Sequence, residues 1–198
     1  MSFYKFARGV CLLVMRFGYK IRFYGEENMP TNKGYILASN HVCNIDPLFI
    51  GIACKKNVRF MAKAELFKNP ILGAILHKVG TFPVSRGTGD HSAIDKAIQV
   101  VKCGDVLGIF PEGTRSKDGK LGRAKSGAVV VAAKTGGDIV PVGIKHGEKT
   151  LWRRNVDVYY GKPITNEELA ITENSKTELK AASRLLMENI ANLLGAEL

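Results

Sequence analysis

A chain of 198 residues and 21.6 kDa fits one ordinary domain and can bury a full core without disulfides or a structural metal, which excludes a fusion of two enzymes. Hydrophobic residues at 45%, charged residues at 24% and a mean hydropathy of -0.02 are globular values and exclude a disordered, collagen-like or coiled-coil chain. The 29 Lys and Arg against 18 Asp and Glu leave a net charge of +11, which calls for an anionic partner: nucleic acid, an anionic membrane surface, an acidic protein or a phosphorylated substrate.

The cations are concentrated at the front and middle of the chain. Lys5, Arg8, Arg16, Lys20 and Arg22 all precede the first acid, Glu26, and the stretch after Pro163 is acidic. Phe3, Phe6, Val10, Leu13 and Phe17 recur at three- and four-residue steps, predicting an N-terminal amphipathic helical segment with one apolar face. Lys5, Arg8, Arg16 and Lys20 lie on the other side, where Tyr4, Leu12, Met15 and Tyr19 intrude. Such a helix suits the headgroup region of a membrane, with rings buried and cations near lipid phosphates; the competing reading packs it on its own domain. The expected organisation is a membrane-associating helix over residues 1–22 and one domain over residues 23–198. The longest clean apolar stretch near the N-terminus, residues 10–15, is far short of the roughly 20 needed to span a bilayer. Cys11, Cys43, Cys54 and Cys103 show no metal-ligand spacing and no secretory signal precedes them, so they read as reduced thiols in a cytosolic protein, with no metal site.

Six short runs bounded by turn residues predict strands: residues 34–39 (GYILAS), 57–61, 81–85, 105–110 (DVLGIF), 138–144 (DIVPVGI) and 156–160. Between them, helical patterns cover residues 47–53, 64–78, 91–101 and 124–134, and a long one runs over 175–194. This alternation predicts an α/β fold, a central mixed and largely parallel sheet covered by helices. Ligands of such sheets collect at the C-terminal ends of strands.

Three turns after strands carry chemistry. In Ser39-Asn40-His41-Val42-Cys43-Asn44-Ile45-Asp46-Pro47, the proline suits a first helical position, so Asp46 reads as an N-cap. His41 and Asp46 then flank a tight turn that folds them together. An imidazole held at Nδ1 by a carboxylate is an oriented general base with Nε2 free for an alcohol proton. The alternatives are a helix cap with an ordinary loop histidine, or a Cys43–His41 nucleophilic pair. The other two turns, Gly80-Thr81-Phe82-Pro83-Val84-Ser85-Arg86 and Phe110-Pro111-Glu112-Gly113-Thr114-Arg115-Ser116, each set an arginine beside glycine and a hydroxyl residue. That combination suits a phosphate or carboxylate. Glu112 and Arg115 are also placed to form a structural ion pair.

In order along the chain, NHVCNID, GTFPVSR, FPEGTRS and IVPVGI resemble the H-x4-D, G-x-x-F-x-x-R, F-P-E-G-T-R-S and V-P-x-x-I blocks of the glycerolipid acyltransferases. The resemblance is closest to the bacterial 1-acylglycerol-3-phosphate (lysophosphatidic acid) acyltransferases and covers roughly residues 25–163. It implies transfer of a fatty acyl group from a thioester to the sn-2 hydroxyl of lysophosphatidic acid, giving phosphatidic acid. His41 is then the base and Asp46 the group that orients and charge-stabilises it. Arg86, Glu112, Gly113, Thr114 and Arg115 bind the phosphate and glycerol, and amides near Gly113 are candidate oxyanion donors. Pro141 either lines an acyl tunnel or ends a strand pairing. The resemblance implies no cofactor beyond the acyl-CoA or acyl carrier protein co-substrate, no acyl-enzyme, and a peripheral place on the cytoplasmic face of the membrane. A noncatalytic module for anionic lipid or nucleic acid would not need His41 and Asp46 together. Nucleic acid is not expected as a partner, because the arginines sit in separate turns without interleaved aromatics.

Overall fold

Short aliphatic runs bounded by glycine, asparagine and aspartate become the strands of one seven-stranded sheet, and the helical patterns between them cover both of its faces. The computed structural model describes residues 3–84, 91–150 and 152–196. In chain order the elements are α1 (Phe3–Gly18), β1 (Tyr19–Tyr24), β2 (Tyr35–Ser39), α2 (Asp46–Ala53), β3 (Val58–Lys63), α3 (Pro70–Lys78), β4 (Phe82–Val84), α4 (His91–Lys102), β5 (Val106–Ile109), α5 (Gly127–Thr135), β6 (Ile139–Thr150), β7 (Arg153–Tyr160) and α6 (Lys176–Leu194). The strand order is β1-β7-β6-β2-β5-β3-β4, and every neighbouring pair is parallel except β6 and β7. The architecture is the mixed, largely parallel α/β sheet that the alternation predicts.

Strand β2 is buried at all five positions. Its alternate residues divide between two cores: Ile36 and Ala38 face α4, α5 and α6, whereas Tyr35 and Leu37 join Phe49 and Ile50 of α2 and Met15 of α1. Registers Ile36↔Ile139 and Ile36↔Leu107 carry the same division across β6 and β5. Each large side chain fully buried this way contributes about 1.5–3 kcal/mol. Gly108 of β5 has no room for a side chain, since an added Cβ would lie 2.2 Å from the Phe60 ring.

Three elements depart from expectation. The helix stops at Gly18, and residues 19–24 form β1, parallel to β7, so the expected boundary after residue 22 falls inside a strand. The physical reason is a change of period: Tyr19, Ile21 and Phe23 face inward at every second residue, and Arg22 on the other face forks onto Asp157 at 2.5 and 2.7 Å. The helix expected over residues 64–78 divides into a 3-10 turn and α3 because Asn69 caps α3, its Oδ1 accepting from the amides of Ile71 and Leu72. Strand β6 runs on to Thr150, well past the expected residue 144, as one arm of a hairpin with β7.

The packing of α1 turns its mixed polar and aromatic side to the domain. Tyr4 accepts a hydrogen bond from the Val58 amide at 2.9 Å, Arg8 donates to the Cys54 carbonyl, and Met15 is buried. The residues that interrupt the basic side therefore dock the helix, and Phe3, Phe6, Val10, Leu13 and Phe17 are left exposed. Among the described residues no helix is long and apolar enough to cross a membrane.

Candidate active site

Where β2 ends, the side chain of Asn40 continues its pairing with β6: Nδ2 donates to the Ile144 carbonyl at 3.0 Å, and Oδ1 accepts from the Ile144 amide at 2.8 Å. His41 follows at the C-terminal edge of the sheet. Its Nδ1 lies 2.9 Å from Oδ2 of Asp46, which also accepts from the amides of Val42 and Cys43, each at 2.7 Å. The turn thus folds the two residues together as expected, but Asp46 is not the N-cap of α2. The helix begins at Asp46 itself, and the carboxylate reaches back over the turn that precedes it. Those upstream donors hold the turn closed, and the amide donation by Cys43 gives that residue a place in the site without its thiol.

The other oxygen of Asp46 faces a residue that sequence reasoning missed. Oδ1 lies 2.9 Å from Nε2 of His146, whose ring meets Phe49 edge-on at 5.8 Å. The signal was present: His146 extends the inward series Val140, Val142, Ile144 of β6, a titratable group where the period demands a buried face. An ionised carboxylate only accepts, so Nδ1 of His41 and Nε2 of His146 both carry protons toward it, and Nε2 of neutral His41 keeps its lone pair. Burial by itself raises the Asp46 carboxyl, but hydrogen bonds from His146, His41 and the two amides outweigh it and hold the group well below the usual carboxylate range.

The third wall is the loop after β5. The ring of Phe110 stacks on His41 with centroids 3.9 Å apart and planes at 18°. Glu112, expected to bind substrate, is buried, and both its oxygens are occupied by backbone: Oε1 accepts from the His41 amide at 3.1 Å and Oε2 from the Gly122 amide at 2.8 Å. It positions His41 and closes the loop, and these amides take the place of the expected pair with Arg115. The Ser116 amide in turn donates to the His41 carbonyl at 2.7 Å.

Gly113 sits at a φ of 70°, a left-handed geometry that favours glycine. Its amide donates to the Phe110 carbonyl at 2.9 Å, which removes it from the candidate oxyanion donors. Among the described residues the next amides of that turn, Thr114 and Arg115, make no hydrogen bond, and both side chains are exposed. Arg86 lies outside the described residues. Pro141 is buried in mid-strand opposite Ala38 of β2, and the pairing of β6 with β7 stops beside it at Val142↔Tyr160, so it ends that pairing without ending β6.

Comparison with known proteins bears on this geometry. The family model described as Acyltransferase matches residues 20–145. The 1-acyl-sn-glycerol-3-phosphate acyltransferase of Bacillus subtilis is 31% identical over 195 residues, covering 96% of each chain. The enzyme of the same name from Streptococcus pneumoniae is 35% identical over 170 residues, 82% of this chain and 62% of that one. The crystal structure of the 1-acyl-sn-glycerophosphate (LPA) acyltransferase PlsC from Thermotoga maritima superposes with a TM-score of 0.72 at 26% identity, over 100% of this chain and 85% of that chain. A family match that holds His41 and Asp46 within one span, and a relative aligned along almost its whole length, make the assignment plain: the chain belongs to the acyltransferase family.

Proposed function

We propose that the protein acylates 1-acylglycerol-3-phosphate at its sn-2 hydroxyl, taking the acyl group from a thioester and giving phosphatidic acid. One observation carries the reading: His41 is fixed at Nδ1 by a buried carboxylate and stacked on Phe110, which leaves Nε2 as an oriented proton acceptor. Nε2 takes the proton of the sn-2 hydroxyl as its oxygen bonds to the thioester carbonyl carbon. The tetrahedral intermediate collapses with cleavage of the C–S bond, and the thiolate recovers the proton from His41. No acyl-enzyme is required. The amides of Thr114 and Arg115 are candidate donors to the oxyanion, and the guanidiniums of Arg115 and Arg86 suit the acceptor's phosphate.

The acceptor and product reside in a bilayer, and the exposed Phe3, Phe6, Val10, Leu13 and Phe17 of α1, flanked by Lys5, Arg16 and Lys20, suit peripheral attachment to an anionic membrane surface. The test is direct: purified protein with lysophosphatidic acid and either acyl-CoA or acyl carrier protein thioester should release one thiol per phosphatidic acid formed. Thiol release without phosphatidic acid, or activity on other acceptors alone, overturns the assignment of substrate.

A further inference from the structure

We propose that the turn of the β6–β7 hairpin is a second membrane contact, which seats Trp152 in the headgroup region of an anionic bilayer beside the C-terminal end of α1. This rests on the peripheral attachment proposed above and adds a site to it. Thr150 pairs with Arg153, so Trp152 lies in a tight turn, where it is 83% exposed. An indole so exposed at the tip of a hairpin buries little of itself within its own domain. Its apolar body and single N–H donor match the interface between headgroups and acyl chains.

The register locates that tip. Ser39, the last residue of β2, pairs with Val142, so the hairpin projects past the C-terminal edge of the sheet, the edge that carries His41. Tyr19 pairs with Arg154, so the C-terminal end of α1, where Phe17 is 74% exposed, meets the sheet next to the start of β7 and hence on the side of the hairpin turn. Its charges fit the same partner: Lys145, Lys149, Arg153, Arg154, Lys20 and Arg16 are exposed around it, against Glu148. The inward face of the same hairpin carries His146 to Asp46, so contact at the tip orients the catalytic edge toward the bilayer in which the acceptor lies.

Trp152 is the single tryptophan of the chain, so its emission reports on this turn alone. Full-length protein is titrated with vesicles of phosphatidylcholine containing phosphatidylglycerol, while binding is followed separately by sedimentation. A blue shift on binding, with stronger quenching by a nitroxide placed high on the acyl chain than by one near its end, is the expected result. Replacing Lys149 and Arg153 by glutamine should weaken vesicle binding about fivefold for each cation removed, with the urea unfolding midpoint unchanged. Sedimentation with vesicles without a change in emission overturns the hairpin contact and leaves attachment through α1 standing. No sedimentation at all overturns both. A shift produced by an acidic soluble acyl carrier protein but not by vesicles also overturns it, reassigning the turn to a protein partner.

Discussion

Replacing Asp46 with asparagine removes one negative charge from a carboxylate that accepts from His41, His146, Val42 and Cys43 at 2.7–2.9 Å and leaves its shape. The amide oxygen can keep the two backbone donors and His41 Nδ1, while the NH2 group meets His146 Nε2, which must then accept. Charge-assisted bonds become neutral ones, at a cost of about 1 kcal/mol each, partly offset because no charge is buried; the net loss of stability is about 1–3 kcal/mol. Activity should fall much further, by ~10²–10⁴ in kcat, because the imidazolium formed during proton transfer loses its counter-charge. Alanine is the poorer probe. It strands four donors at about 1–3 kcal/mol each, on the order of 4–8 kcal/mol after water reaches the imidazoles, which approaches the whole stability of a typical domain. The assay is thiol release with lysophosphatidic acid in detergent micelles, paired with urea unfolding at pH 7. Asp46→Asn that unfolds like the parent and retains its kcat would refute the dyad. Acid supplies a second check. The native carboxyl lies below its unfolded value of about 3.9, so its contribution to stability is complete above about pH 4 and is lost as pH falls through the native value. The stability gap between Asp46→Asn and the parent should narrow progressively below pH 4.

His146→Ala should lower kcat about tenfold at unchanged acceptor KM, since one of four groups that hold Asp46 is lost and no substrate contact is. His146→Gln, whose amide can donate to Oδ1, should restore most of the rate, and a KM effect instead would make His146 a substrate ligand. Arg115→Ala should raise the acceptor KM and erase the preference for lysophosphatidic acid over monoacylglycerol, because an exposed guanidinium is available to a phosphate; an unchanged preference assigns it elsewhere. Phe6→Ser with Leu13→Ser should cut activity on vesicle-embedded acceptor far more than on a short-chain soluble one, with little change in thermal stability because both side chains face solvent. Equal losses on the two substrates would show that the stripe is structural.

The alternation of apolar runs with helical patterns was enough to place six of the seven strands and the α/β class, because strands covered on both faces must be continuously apolar and their connections must be helical. The spacing of His41 and Asp46 across Pro47 likewise pointed to a turn that brings them together. Strand β1 escaped because its six residues continue a cationic, aromatic segment, and only the parallel partner β7 reveals the two-residue period. Whether α1 docks on the domain was not legible either: the period separates the face of Phe6, Leu13 and Phe17 from the rest, but only the fold shows that the helix docks through Tyr4, Arg8 and Met15 and leaves that face exposed. The partners of Asp46 and Glu112 belong to tertiary structure alone. His146 is 100 residues from Asp46 and the Gly122 amide is ten from Glu112, and no local rule selects one donor over another at such separations. Charge, lone pairs and period follow from residue identity and spacing alone. Only the packing of β6 against β2, with the loop after β5 folded over His41, decided that one buried carboxylate holds two imidazoles and that a second is tied to the backbone amides of His41 and Gly122.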